Sequence, residues 1–217
     1  MYKLAIFDFD GTLVDSAPGI VDVMRDCCAE YKFSEKTLEL WSHLIGIPLL
    51  RQVEILFPEH SHEFHEEVAQ RYRDIYDTRA IEICPPFVGL EEMLQTLRKA
   101  EILISIASSK RRHLIDTVLE YHNLVGYFSL VVGAEEVKKH KPDPEAVLLS
   151  AEKLGIALSE SVVIGDSSFD LDMARNAGVD AIGVTTGIHT KEYLAKSEPK
   201  YIVSALTEVA PLILNGR

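Results

Sequence analysis

Apolar and polar positions divide the chain into two regimes. From about residue 85 onward, short unbroken apolar runs alternate with stretches whose apolar residues recur every three or four positions. Ile102–Ala107, Phe128–Val132, Ser161–Ile164, Ala181–Val184 and Tyr201–Val203 read as strands, and the first strand is Leu4–Phe7. Between them, the spacings Leu90/Met93/Leu94/Leu97, Leu114/Ile115/Val118/Leu119 and Leu206/Val209/Leu212/Ile213 predict helices. Asp143-Pro144 predicts the start of a further helix, with Asp143 as its cap and Pro144 in its first turn.

Residues 17–83 behave differently. Ile20/Val23/Met24/Cys27/Tyr31, Leu38/Trp41/Leu44, Leu49/Val53/Leu56 and Phe64/Val68/Tyr72/Ile75 are four helical stripes with no strand among them. Gly46-Ile47-Pro48 breaks the second from the third, and Cys84-Pro85-Pro86 is a stiff way back. The expected organisation is an α/β core of residues 1–16 and 84–217 with a small helical domain, 17–83, inserted after the first strand. Strands alternating with helices imply a parallel sheet covered on both faces, with its site at the carboxyl ends of the strands.

Composition narrows the partners. Among 217 residues, 34 acidic against 22 basic side chains give a formal charge of -12. Such a balance disfavours nucleic acid and anionic membrane, and no apolar run reaches the ~18 residues of a membrane span. Three cysteines, Cys27, Cys28 and Cys84, form neither a disulfide framework nor a metal-ligand spacing. They are expected to be buried small hydrophobes in a reducing, cytoplasmic setting. His60, His62 and His65, interleaved with Glu59, Glu63 and Glu66, are expected on a solvated charged face.

The candidate chemistry sits where apolar runs stop. Leu4–Phe7 leads into Asp8 and Asp10, which point the same way on an extended chain. Two carboxylates that close repel unless they share a proton or a cation. The second run ends at Ser108, a third is followed by Lys141, and the fourth ends at Asp166 with Asp170 one helical turn on. The acids suit a hard, oxygen-preferring cation such as Mg²⁺. A hydroxyl and an ammonium beside them suit phosphate oxygens. The loop GxxxxGK[ST] is absent, so nucleotide binding of that kind is not expected.

Asp8-Phe9-Asp10-Gly11-Thr12-Leu13 resembles the DxDGT motif of the haloacid dehalogenase (HAD) superfamily. Ser108, Lys141 within KPDP, and Gly165-Asp166-Ser167 with Asp170 resemble its other three motifs, in order and at suitable spacings. The helical insertion is similar to the cap of the phosphoglycolate phosphatase-like subgroup. That resemblance implies a Rossmann-like parallel sheet and a Mg²⁺-dependent phosphatase that hydrolyses a small phosphomonoester or pyrophosphate through an aspartyl phosphate. Asp8 is then the nucleophile and Asp10 the general acid and base. Mg²⁺ is held by Asp8, Asp166 and the main-chain carbonyl of Asp10, with Asp170 behind them. Ser108 and Lys141 hold the phosphate. Ser109 stands where Asn is frequent; Ser109, Lys110 and, from the cap, Arg51 are further expected contacts to substrate. Asp10 sets the chain apart from the carbon–halogen hydrolases, which lack that acid.

Two other functions stay open at this stage. A phosphomutase of the β-phosphoglucomutase type would return the phosphoryl group to its substrate. A receiver module also accepts phosphate on a strand-end Asp, but needs no cap and a much shorter chain. Neither the natural substrate nor the oligomeric state is legible in the sequence.

Overall fold

The computed structural model describes residues 2–216. Six strands, β1 (Leu4–Phe7), β2 (Leu103–Ala107), β3 (Leu130–Val132), β4 (Ser161–Gly165), β5 (Asp180–Val184) and β6 (Tyr201–Val203), form one parallel sheet in the order β3-β2-β1-β4-β5-β6. β1 is central: Phe7 pairs with Ile106 on one side and with Ile164 on the other. The chain leaves β1 for opposite halves of the sheet on either side of it. A crevice therefore opens at the carboxyl ends of β1, β2 and β4.

Side chains alternate between two faces along each strand. Ala5, Phe7, Ile104, Ile106, Val162 and Ile164 join the larger core cluster, with α5 (Leu90–Lys99), α6 (Arg112–Tyr121) and α10 (Val209–Asn215). Leu4, Ile6, Ala107 and Val163 join the second, with α7 (Glu145–Leu154), α8 (Ser168–Ala177) and α9 (Lys191–Leu194). Burial on both faces is why these strands read as continuous apolar runs rather than alternating ones.

Between β1 and α5 lie four helices: α1 (Ala17–Tyr31), α2 (Glu35–Ser42), α3 (Leu49–Leu56) and α4 (His62–Asp77). Pro18 opens α1, where a missing N–H costs nothing. Ser61 caps α4 by accepting from the Phe64 N–H. Trp41, Val53, Val68 and Tyr72 bury the inner faces. The connectors to and from these helices run side by side: Asp15 N–H donates to Pro85 O at 2.8 Å and Phe87 N–H to Leu13 O at 3.1 Å.

Local details differ from the sequence expectation. Helix α7 begins at Glu145; Pro144 takes the cap position, and the Asp143 carboxylate accepts from the Glu145 N–H at 3.1 Å. His65 is buried rather than solvated, because its imidazole Nε2 lies 2.7 Å from the Phe57 carbonyl, where α3 ends. The three cysteines are free and buried. Among the described residues, no helix is long and apolar enough to cross a membrane.

Candidate active site

The strand ladder carries its order one residue past each strand. Asp8 N–H donates to Ile164 O and Ser108 N–H to Val132 O, both at 2.9 Å. The first polar residue after β1 and after β2 is thus positioned by the sheet, not by a loose loop.

Asp8, Asp166 and Asp170 converge. Each offers a carboxylate oxygen within 4.8 Å of those of the other two, and all three are buried. Lys141 reaches them from the loop before α7, its Nζ 2.6 Å from Asp8 Oδ1 and 2.6 Å from Asp170 Oδ1. The glycines explain how three acids fit together. A Cβ on Gly187 would lie 1.7 Å from Asp166 Oδ2, and one on Gly11, at φ +76°, would lie 2.6 Å from it. Thr12 Oγ1 donates to Asp166 Oδ1 at 2.8 Å. Asp170 is held by a capping box at the start of α8: Ser167 N–H and Oγ donate to its Oδ2 at 3.1 and 2.6 Å.

Electrostatics follow from this crowding. Burial, then the nearby Asp170, push Asp8 up to about 7 despite Lys141. Asp166 is driven well above the carboxylate range, first by burial and then by Asp8 and Asp170. Burial opposes charge on Lys141, but Asp170 and Asp8 outweigh it and hold the ammonium above its ordinary range. Ionised together, the three buried acids would outnumber the one cation beside them. Hard oxygen donors in that excess fit a divalent ion of the Mg²⁺ type. The Asp10 carboxylate stands outside this group.

Asp10 instead faces Lys110, whose Nζ lies 2.9 and 3.1 Å from its two carboxylate oxygens. Lys110 also donates to the Tyr76 hydroxyl, 4.4 Å above whose ring centre it sits. Burial alone would depress Lys110, yet Asp10 holds it above its ordinary value. The Tyr76 hydroxyl touches Cys84 Sγ at 3.1 Å and is itself pushed well up, first by burial and then by Asp10. A lysine of the core thus bridges an acid of the core and a tyrosine of α4.

A cavity of about 400 Å³ opens from Asp8, Asp10 and Ser108 toward α1, α3 and α4. Ser108 is buried and accepts from the Lys110 N–H at 3.2 Å. Ser109 lines the cavity but turns its hydroxyl to the Gly46 carbonyl at 2.9 Å, tying the break between α2 and α3 to the core.

Arg51, expected at the substrate, stands elsewhere. It does not line the cavity. Helix α3 turns Leu49, Leu50, Gln52 and Val53 inward, which leaves Arg51 on the outer face, paired with Glu54 at 2.9 Å. The arginines that do line the cavity are Arg73 and Arg111. Sequence patterning singles out no role for Thr12, Tyr76 or Gly187. The one available signal was the run Thr185-Thr186-Gly187 directly after β5, where Thr186 Oγ1 donates to Gly11 O at 2.6 Å.

A six-stranded parallel sheet, a buried carboxylate cluster beyond β1 and β4 that could hold a metal ion, and helices inserted after β1 that line the crevice define an α/β protein. The model of the haloacid dehalogenase-like hydrolase family matches residues 5–184, and the chain belongs to that family. "Probable phosphatase IndB" of Dickeya dadantii is 34% identical over 96% of this chain and 92% of its own length. A phosphoglycolate phosphatase of Vibrio vulnificus is 29% identical over 98% and 96%. A solved Bacteroides fragilis protein described as haloacid dehalogenase-like superposes with a TM-score of 0.90 at 32% identity, over 96% of this chain and 100% of that one.

Proposed function

We propose that the protein is a Mg²⁺-dependent phosphatase that hydrolyses a small phosphomonoester through an aspartyl phosphate. The observation that carries this is the placement of Asp8. One of its carboxylate oxygens is held 2.6 Å from Lys141, beside Asp166 and Asp170, and the residue lines the cavity in which Asp10 and Ser108 also stand.

In this reading Asp8 attacks phosphorus in line, and the bond to the leaving oxygen breaks as Asp10 protonates that oxygen. Asp10, now ionised, takes a proton from the incoming water, whose oxygen attacks the phosphorus of the aspartyl phosphate and returns Asp8. Ser108 and Lys141 hold the phosphate oxygens. Mg²⁺ at Asp8, Asp166 and the Asp10 main-chain carbonyl, with Asp170 behind, would supply positive charge that orients the phosphate and offsets developing negative charge. Residues 17–83 act as a cap that excludes bulk water. The free, buried cysteines suit a cytoplasmic enzyme.

The likeness to a phosphoglycolate phosphatase makes 2-phosphoglycolate an early substrate to assay, together with pyrophosphate. Release of inorganic phosphate from p-nitrophenyl phosphate over many turnovers, stopped by EDTA, is the expected result. Interconversion of sugar phosphates would indicate a mutase instead, and a single stoichiometric labelling of Asp8 a receiver.

A further inference from the structure

The cavity has two ends of different character. Near the strand tips it is polar. Away from them its walls include the apolar Ile20 and Met24 of α1, Leu49 and Leu50 of α3, and Leu114 of α6, beside Gln70 and Arg73 of α4. Its volume of about 400 Å³ falls in the range that holds drug-sized ligands, about 300–1,000 Å³. A phosphoryl group on a two-carbon acid would leave most of that space empty.

The charges on its wall are already engaged. Three cations line the cavity among the described residues, and each has a carboxylate partner. Lys110 holds Asp10 at 2.9 Å, Arg111 holds Asp77 at 2.5 Å, and Arg73 faces Glu66 at 3.6 Å. The amides are committed too. Gln52 accepts from the Trp41 indole N–H at 2.9 Å and donates to the Ile47 carbonyl at 2.7 Å, and Gln70 donates to Asp74 at 2.8 Å. A second anionic group on the substrate would lose its water against aliphatic side chains, with no unpaired cation among the described lining residues to meet it.

We propose that the site selects a phosphomonoester whose leaving group is an uncharged, largely apolar or ring-bearing alcohol, and selects against leaving groups carrying a carboxylate or a second phosphoryl group. This rests on the phosphatase reading above and specifies its substrate class.

The test compares benzyl phosphate with 2-phosphoglycolate, both esters of primary alcohols, and with pyrophosphate, using the full chain at saturating Mg²⁺. The expected kcat/KM for benzyl phosphate is at least tenfold above either of the others, about 1.4 kcal/mol of transition-state preference. A smaller ratio, or the reverse order, overturns the proposal. Calorimetric binding of the same esters to Asp8→Asn separates this from failure of the phosphatase reading, because it needs no turnover. There benzyl phosphate is expected to bind at least tenfold more tightly than 2-phosphoglycolate, and equal or inverted affinities overturn the proposal even if no ester is hydrolysed. Leu50→Arg, at a partly buried wall position, should raise kcat/KM for 2-phosphoglycolate and lower it for benzyl phosphate. An unchanged ratio counts against the apolar wall as the selector.

Discussion

The two sides of the cavity are built by different means. On the sheet side, Asp8 and Ser108 hang from strand ladders, Asp166 is wedged between Gly11 and Gly187, and Asp170 is clamped in its capping box. On the helical side, Gln70, Arg73 and Tyr76 come from α4, and Leu49 and Leu50 from α3, joined to the core by two short connectors. Groups that must hold geometry to fractions of an ångström sit on the least deformable part of the chain. The side proposed to meet the leaving group is carried by helices inserted between β1 and α5. Polar contacts between the sides include Lys110 with Tyr76, Ser109 with the Gly46 carbonyl, and Arg111 with Asp77.

If this division is right, substitutions on the sheet side should abolish chemistry or stability, while those on the helical side should adjust rates. The largest effect is expected from Asp8→Asn, which should lower kcat by at least about 10³-fold with an unchanged circular dichroism spectrum. Retained turnover would remove Asp8 from the nucleophile's role. Lys141→Met should follow. It leaves buried acids without their ammonium, a kind of loss that costs about 3–5 kcal/mol, readable by urea unfolding at pH 8. The loss should shrink at pH 5, where the carboxyls can protonate.

The acid cluster also predicts a pH dependence in the metal-free protein. Asp8 is raised to about 7 in the fold from an ordinary value near 3.8. The native state therefore binds more protons than the unfolded chain between those values. The sign follows directly: stability is highest below about pH 4 on this account and falls as pH rises toward 7. Mg²⁺ binding to the ionised form should reverse the loss, so the rise in Tm on adding Mg²⁺ should be larger at pH 8 than at pH 5. An equal rise at both would detach the ion from these carboxylates.

Smaller effects are expected where the two sides touch. Tyr76→Phe removes a hydroxyl shared by Lys110 and Cys84. It should lower kcat by about three- to tenfold and stability by about 1 kcal/mol, measured by steady-state kinetics and thermal unfolding. Arg51→Ala, on the outer face of α3, should leave kcat and KM within twofold and stability within about 0.5 kcal/mol. A large change in KM would return Arg51 to the substrate and reopen the assignment of the cavity wall.

The order of strands and helices was readable along the chain because a buried parallel strand must be an apolar run and an amphipathic helix must repeat near 3.6 residues. Asp8, Asp166, Ser108 and Lys141 stood out for a related reason: each is a polar side chain at or after the end of such a run. Those are local properties, written in residue spacing. Tertiary structure alone decided the rest. Asp170 was expected one helical turn beyond Asp166, but how close it comes to β4 depends on Gly165, where a Cβ would meet Asp170 Cβ at 2.3 Å. That Asp10 faces Lys110 and Tyr76, 100 and 66 positions away, depends on how α4 folds back over the sheet. Which arginine reaches the cavity depends on a helix's rotation about its axis, which turns Arg51 out while Arg73 lines the cavity. Spacing sets which face a residue shares with its neighbours; only packing sets what that face meets.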